Sequence, residues 1–156
     1  MEIERKFLIS KVPDHLNSYP CRQIEQGYLC THPVVRIRKQ DDEFFLTYKS
    51  SGMMIREEYN LPLTEESYLH LRTKTDGILI AKKRYCIPFG AYTIELDIFE
   101  KDLSGLVLAE VEFPTEEEAL SFSPPDWFCE DVTHSGLYHN SYLSRHGYNP
   151  AKEGSI

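Results

Sequence analysis

Apolar and polar residues alternate with a period of two along most of this chain, the spacing of strands with one buried face. The alternation begins at once. In Glu2-Ile3-Glu4-Arg5-Lys6-Phe7, Ile3 and Phe7 share one parity and Glu2, Glu4 and Lys6 the other. The same reading predicts strands over 2–10, 21–31, 34–39, 43–50, 53–61, 79–87, 91–99 and 107–113. The turn-forming stretches Gln40-Asp41-Asp42, Ser50-Ser51-Gly52 and Pro88-Phe89-Gly90 separate several of them, so neighbouring strands should pair as antiparallel hairpins.

Helices fill the gaps. Thr64-Glu65-Glu66 opens one that runs to about Lys74, with acids in its first turn to suit the helix dipole. Thr115-Glu116-Glu117-Glu118 has the form of a capping box ahead of Leu120 and Phe122. A third helix is expected from about 135 to 146, with Tyr138 and Tyr142 four residues apart and Gly147 as its C-cap. Pro124-Pro125 breaks the chain ahead of it. The expected organisation is one domain over 1–147 and a flexible tail over 148–156. Eight strands with few helices describe an α+β fold on a closed or nearly closed antiparallel sheet, although strand count alone also permits a sandwich.

Composition narrows the function classes. A chain of 156 residues suits one domain with its own core. Hydrophobic residues at 41% and charged residues at 27% are the balance of a soluble globular protein. No apolar run approaches the roughly 20 residues of a membrane helix, and the N-terminus does not read as a signal peptide. The expectation is a cytoplasmic protein with no membrane partner. Cys21, Cys30, Cys86 and Cys129 form no CxxC pair and read as reduced thiols, not as disulfides or a zinc site. A formal net charge of −8 argues against nucleic-acid binding. It does not argue against a small polyanion met by locally clustered cations. Oligomeric state stays open, a homodimer included.

The charged faces of the strands carry the chemistry. Arg36 and Arg38 share a face, as do Lys82 and Arg84, Glu95 and Asp97, and Glu110 and Glu112; Lys49 faces the same way as Thr47, and Arg56 as Glu58. Any one such strand reads as a sheet with charges in water. As a set they differ from a solvent face, because like charges at i, i+2 repel, and more strongly in a confined space. The Arg and Lys rows call for an anion, and the Glu2/Glu4, Glu95/Asp97 and Glu110/Glu112 rows call for a cation. Placed on the inner wall of a small barrel, the basic rows would grip phosphate oxygens. The acidic rows would hold Mg²⁺ or Mn²⁺ through hard oxygen ligands. A polyphosphate is the natural guest.

These residues resemble the CYTH domain, or triphosphate tunnel metalloenzyme, superfamily. Glu2-Ile3-Glu4-Arg5-Lys6 matches its ExExK signature. Arg36-Ile37-Arg38, Lys49, Arg56-Glu57-Glu58-Tyr59, Lys82-Lys83-Arg84-Tyr85, Glu95-Leu96-Asp97-Ile98-Phe99 and Ala109-Glu110-Val111-Glu112-Phe113 resemble its later motifs in order. The resemblance implies an eight-stranded antiparallel barrel closed into a tunnel, with helices packed outside. It implies a divalent metal, Mg²⁺ or Mn²⁺, and a small-molecule triphosphate substrate, most like the bacterial inorganic triphosphatases. Carried onto this chain, it makes Glu2, Glu4, Glu95, Asp97, Glu110 and Glu112 metal ligands or their partners. Lys6, Arg36, Arg38, Lys49, Arg56, Lys82 and Arg84 would bind phosphates, with Arg72 a further contact or a surface helix charge. Glu4, Lys6, Asp97, Glu110 and Glu112 would form the catalytic set.

Two departures from the family pattern matter. Asn60 stands where a further acid is common, which weakens Glu58 as a ligand. Ser135 and Leu137 replace charged types near the C-terminus, which puts in doubt whether the last helix closes one tunnel end. No G-x-S-x-G, G-x-x-x-x-G-K or H-E-x-x-H is present, so a serine nucleophile, a P-loop and a zincin site are not expected. Of the histidines, only His134 or His139 is placed to approach a tunnel mouth. Tyr28, Tyr48, Tyr59 and Tyr85 read as packing outside the barrel, and Trp127 as a hydrophobic anchor. A class IV-type adenylate cyclase, a non-catalytic polyphosphate-binding module and a barrel with merely solvated charges remain as rivals.

Overall fold

The computed structural model describes residues 1–148, so the expected tail beyond Tyr148 lies outside the described residues. The strands are β1 (Glu2–Ile9), β2 (Cys21–Thr31), β3 (Val34–Gln40), β4 (Glu43–Lys49), β5 (Ile55–Arg56), β6 (Glu58–Pro62), β7 (Asp76–Phe89), β8 (Tyr92–Glu100), β9 (Val107–Glu112) and β10 (Phe128–Asp131). The helices are α1 (Glu65–Arg72), α2 (Glu116–Ser121) and α3 (Asn140–His146). The strands run β1-β9-β8-β7-β2-β3-β4-β6, and β5 pairs back onto β1. Because only Glu57 separates β5 from β6, the two halves act as one stave. β6 pairs with β4, and β5 closes the ring through Glu2↔Arg56 and Ile3↔Ile55. The result is the expected antiparallel barrel, closed by a short seam.

The strand count exceeds eight for two physical reasons. The stave expected over 53–61 breaks at Glu57, whose carbonyl accepts from Ser50 N at 3.0 Å and whose N–H donates to Ser50 Oγ at 2.9 Å. β10 is an addition that alternation did not signal. It is a short segment after Pro124-Pro125 that adds to the far end of β1 with Phe7 opposite Asp131. β7 begins at Asp76, earlier than predicted, because Gly77 is no turn residue here. Its φ is +69°, and a Cβ there would lie 2.2 Å from the Ser144 carbonyl oxygen. Only glycine admits α3 this close to the strand.

The outer face of the first staves is apolar as its parity requires. Ile3, Phe7, Leu96, Ala109 and Val111 bury against Ala119 of α2 and Phe128 of β10. Trp127 packs against this cluster, its ring 4.8 Å from that of Phe128. Thr115 Oγ1 accepts from Glu118 N at 3.1 Å to start α2. On the opposite side Tyr68 of α1 packs on Phe44, with ring centroids 5.2 Å apart.

The barrel interior is polar in one half and apolar in the other. Phe99 and Leu108 continue the inward parity of Asp97 and Glu110, and they cluster with Ile80, Tyr138 and Leu143. Each such side chain stabilises the fold by about 1.5–3 kcal/mol on burial, which anchors the C-terminal segment as a plug. That segment is not one helix from Ser135. A 3-10 turn over Gly136–Tyr138 comes first, His139 takes an extended conformation, and α3 follows, ending on Gly147 at φ 70°. Tyr138 and Leu143 of this segment are buried against the inner apolar residues of the barrel.

Candidate functional site

Inward-pointing side chains of the polar half enclose a cavity of about 230 Å³. The structure brings Glu2, Glu4, Lys6, Arg36, Arg38, Lys49, Arg56, Lys82, Arg84, Glu95, Glu110 and Glu112 together on its wall. Strand register explains the company each keeps. Lys6 sits opposite Glu110, Glu95 opposite Glu110, Glu4 opposite Glu112, and Lys49 opposite Glu58.

Two expected site residues are elsewhere. Arg72 does not reach the cavity. It lies exposed on α1 and grips Glu25 through Nε at 2.8 Å and Nη2 at 3.3 Å, so the surface reading of Arg72 holds. Asp97 is fully buried behind the wall. It accepts from Arg84 at 2.7 and 2.9 Å and lies 2.8 Å from Lys82 Nζ. Its three contacts with these two cations, and its absence from the cavity wall, make Asp97 a group that orients Lys82 and Arg84. Tyr28 corrects the expectation in the other direction: it is on the cavity wall, not the barrel exterior. Tyr48 and Tyr59 do pack outside, against each other at 6.1 Å. His139 lines the cavity, and His134 is exposed.

The cations are crowded. Burial, with Arg36 and Arg84 beside it, pushes the Arg38 guanidinium down to about 9. Burial, opposed by Asp97 but abetted by Arg84 and Arg38, pushes Lys82 down to about 7. Among the described residues, Arg36 Nε is buried with no hydrogen-bond partner, and an orphaned buried donor costs about 1–3 kcal/mol. An anion in the cavity would answer all three strains.

The acids divide into engaged and available. Burial works to raise Glu110, but Lys6, Arg84 and Lys82 outweigh it and hold its carboxyl well below the usual range. Glu2 lies 2.9 Å from Lys49 Nζ, with Glu58 3.2 Å from the same nitrogen. Burial and the nearby Glu4 push Glu2 up to about 8, while Glu58, which burial works to raise, is held down to about 2 by a hydrogen bond with Glu2 and the charge of Lys49. Glu112 differs: burial, Glu58 and Glu4 raise it, and among the described residues it forms no ion pair. Among the described residues Glu4 forms one ion pair, with Arg56 at 3.5 Å.

This donor set suits a hard divalent cation. Among the described residues no three carboxylate, imidazole or thiolate groups form a ready cage. The adjacent Glu4 and Glu112 supply oxygens whose mutual repulsion a cation would relieve, with Glu95 and Glu110 next along the wall. Two protein carboxylates are the usual complement for Mg²⁺, which keeps waters and takes phosphate oxygens for the rest.

Residues that sequence reasoning missed form the inner end. Asn140 Oδ1 accepts from Lys82 Nζ at 3.1 Å and from Gln26 Nε2 at 3.2 Å, and Gln26 Oε1 accepts from Arg38 Nε at 2.8 Å. Lys6 Nζ donates to the Tyr138 carbonyl at 3.0 Å. Gln26 shares inward parity with Tyr28, the one signal in the sequence; Asn140 comes from a helix whose docking no strand pattern reveals.

The family model of the CYTH domain matches residues 1–132. A protein of Nitrosomonas europaea named inorganic triphosphatase is 42% identical over 149 residues, covering 92% of this chain and 96% of its own. One of Acetivibrio thermocellus with the same name is 35% identical, covering 97% and 98%. The crystal structure of an inorganic triphosphatase superposes with a TM-score of 0.70 at 36% identity, covering 96% of this chain and 97% of that one.

Proposed function

Because the chain belongs to the CYTH domain family, we propose that it hydrolyses inorganic tripolyphosphate with the help of Mg²⁺ or Mn²⁺, releasing phosphate. The functional unit in this reading is residues 1–147, working in the cytoplasm. The observation that carries the reading is the crowding of Arg36, Arg38, Lys82 and Arg84 on one enclosed wall, with one buried donor unpartnered. Such a cavity suits an anion with many oxygens. The relatives named inorganic triphosphatase support the same substrate.

The reaction needs positioning and charge neutralisation more than covalent chemistry. Arg36, Arg38, Lys82 and Arg84 hold the non-bridging oxygens. Lys6, fixed between Glu110 at 3.3 Å and the Tyr138 carbonyl, adds a cation at the boundary between basic and acidic walls. Water attacks the terminal phosphorus, the bridging P–O bond breaks, and pyrophosphate leaves with the electron pair. Glu95, which burial raises against the opposing pull of Arg84, would accept the proton of that water. Glu4 and Glu112 would hold the metal, which supplies neutralisation of phosphate charge and acidification of water when bound. Asp97 keeps Lys82 and Arg84 aimed into the cavity.

The test is a substrate panel with pure protein and Mg²⁺ or Mn²⁺, with and without chelator. Tripolyphosphate and ATP are supplied, and phosphate, pyrophosphate and cyclic AMP are measured. Phosphate from tripolyphosphate, abolished by chelator, is the expected result. Cyclic AMP as main product would replace this reading by a cyclase, and binding without turnover by a polyphosphate-binding module.

A further inference from the structure

Two amides distant in sequence meet behind the basic wall. Gln26 of β2 is fully buried, and Asn140 opens α3. Arg38 Nε donates to Gln26 Oε1 at 2.8 Å, Gln26 Nε2 donates to Asn140 Oδ1 at 3.2 Å, and Lys82 Nζ donates to the same oxygen at 3.1 Å. Arg38, Lys82 and Asn140 line the cavity, whereas Gln26 stands behind them.

The direction of this chain of hydrogen bonds is fixed from its ends. A guanidinium nitrogen has only hydrogens to offer, so Gln26 must turn its oxygen to Arg38 and its nitrogen to Asn140. Asn140 must then answer with oxygen, and the Lys82 ammonium asks for the same atom. Both lone pairs of Oδ1 are taken. The Nδ2 of Asn140 is left over. Among the described residues it donates to no protein group, and it is not sealed in the interior, where Arg36 Nε alone among the described residues is buried without a partner. A neutral donor also suits the position. Burial, with Arg84 and Arg38 nearby, already pushes Lys82 down to about 7 against the pull of Asp97, and a further cation would push it lower. An amide adds hydrogens without adding charge.

We propose that Asn140 is a phosphate-binding residue, its Nδ2 donating to a non-bridging oxygen of the triphosphate, and that Gln26 is the positioning residue that keeps it turned that way. The inference rests on the triphosphatase reading of the cavity. Ionised phosphate oxygens accept and do not donate, so they match Nδ2 and are repelled by Oδ1. With Asn140 so turned, Arg38, Lys82 and Asn140 meet the anion as donors alone. Gln26 thereby acts on a substrate that it does not touch.

NMR of the side-chain amides in isotope-labelled full-length protein, titrated with tripolyphosphate in chelator, tests this, with Mg²⁺-dependent turnover measured alongside. The Asn140 signal is identified by its loss in Asn140→Asp. In the unaltered protein it moves downfield as tripolyphosphate saturates, the response of an amide proton that gains an anionic acceptor, while the Gln26 signal keeps its place. Gln26→Met, of similar length but without either hydrogen bond, abolishes the Asn140 shift and raises KM roughly tenfold, the loss of one hydrogen bond to a charged group. Gln26→Glu keeps the shape of the side chain and the acceptor for Arg38 but has no hydrogen for Asn140, so it abolishes the shift as well. An Asn140 signal unmoved at saturation would overturn phosphate binding by Asn140. A shift of unaltered size in both Gln26 variants would overturn the positioning role. If tripolyphosphate neither binds nor turns over, the triphosphatase reading itself falls; if it does both with the Asn140 signal unmoved, only this inference falls.

Discussion

Lys82 Nζ lies 2.8 Å from Asp97 Oδ2, and neither side chain touches solvent. The pair is in register next to Arg84, opposite Asp97 on β7. Asp97 thus pairs with two buried cations that both face the cavity, and Arg84 also meets Glu95 at 3.2 Å and Glu110 at 3.6 Å.

Removing that carboxylate takes from Lys82 its one ion pair among the described residues and from Arg84 its nearest carboxylate. Asp97→Ala is expected to lose about 3–5 kcal/mol of stability, the usual cost of breaking a buried pair from one side. Chemical denaturation midpoints measure this. A loss under about 1 kcal/mol would show that Asp97 is dispensable to the wall.

Glu112 is the opposite case. It crowds Glu4 and Glu58 and, among the described residues, forms no ion pair, although the charge of Lys49 opposes the rise. Glu112→Gln should keep stability within about 1 kcal/mol while lowering metal-dependent turnover roughly a hundredfold and raising the Mg²⁺ concentration needed. Unchanged Mg²⁺ dependence would remove Glu112 from the metal site.

Anion binding should move protons. With Lys82 near 7, most of its side chain is neutral at pH 8. A polyphosphate raises that value, so binding at pH 8 in chelator takes up a proton. Calorimetry in two buffers of different ionisation heat reads the uptake. Lys82→Arg, which stays charged at every relevant pH, should lose it; an identical uptake in the variant would assign the proton elsewhere.

His139 predicts a pH dependence of folding. Its folded value of about 4 lies below the ordinary 6.5 because burial, Lys6 and Arg56 all disfavour the cation. Between those values the unfolded chain binds more protons, so this group's contribution is complete above about 6.5 and is lost as pH falls toward 4. Glu95 and Glu112, both raised, slope the other way. The difference between the unaltered protein and His139→Gln isolates the histidine. Parallel stability curves from pH 4 to 7 would contradict the assignment.

Parity made most of this site legible. A strand has two faces, so once Ile3 and Phe7 are taken as buried outward, Glu2, Glu4 and Lys6 must share the other side, and the same holds for Arg36/Arg38 and Glu110/Glu112. Parity says nothing about height along the barrel axis. Asp97 and Glu110 point inward alike, yet Asp97 sits next to the apolar plug, opposite Leu108, and is sealed from the cavity. Arg72 was undecidable because its partner Glu25 is distant in sequence. β10 was invisible because its strand character comes from the edge of β1, and Asn140 because its helix is placed by Gly77 and Leu143, not by any local pattern.

The central claim is that the polar half of the barrel holds a triphosphate between its basic and acidic walls. A crystal structure with tripolyphosphate and Mn²⁺, read through the anomalous signal of the metal, tests it most directly. The account predicts phosphate oxygens in hydrogen-bond reach of Arg36, Arg38 and Lys82, Arg36 Nε among the donors, and a metal peak beside Glu4 and Glu112. Phosphates seated only on the outer surface, with Arg36 Nε still unpartnered, would contradict it.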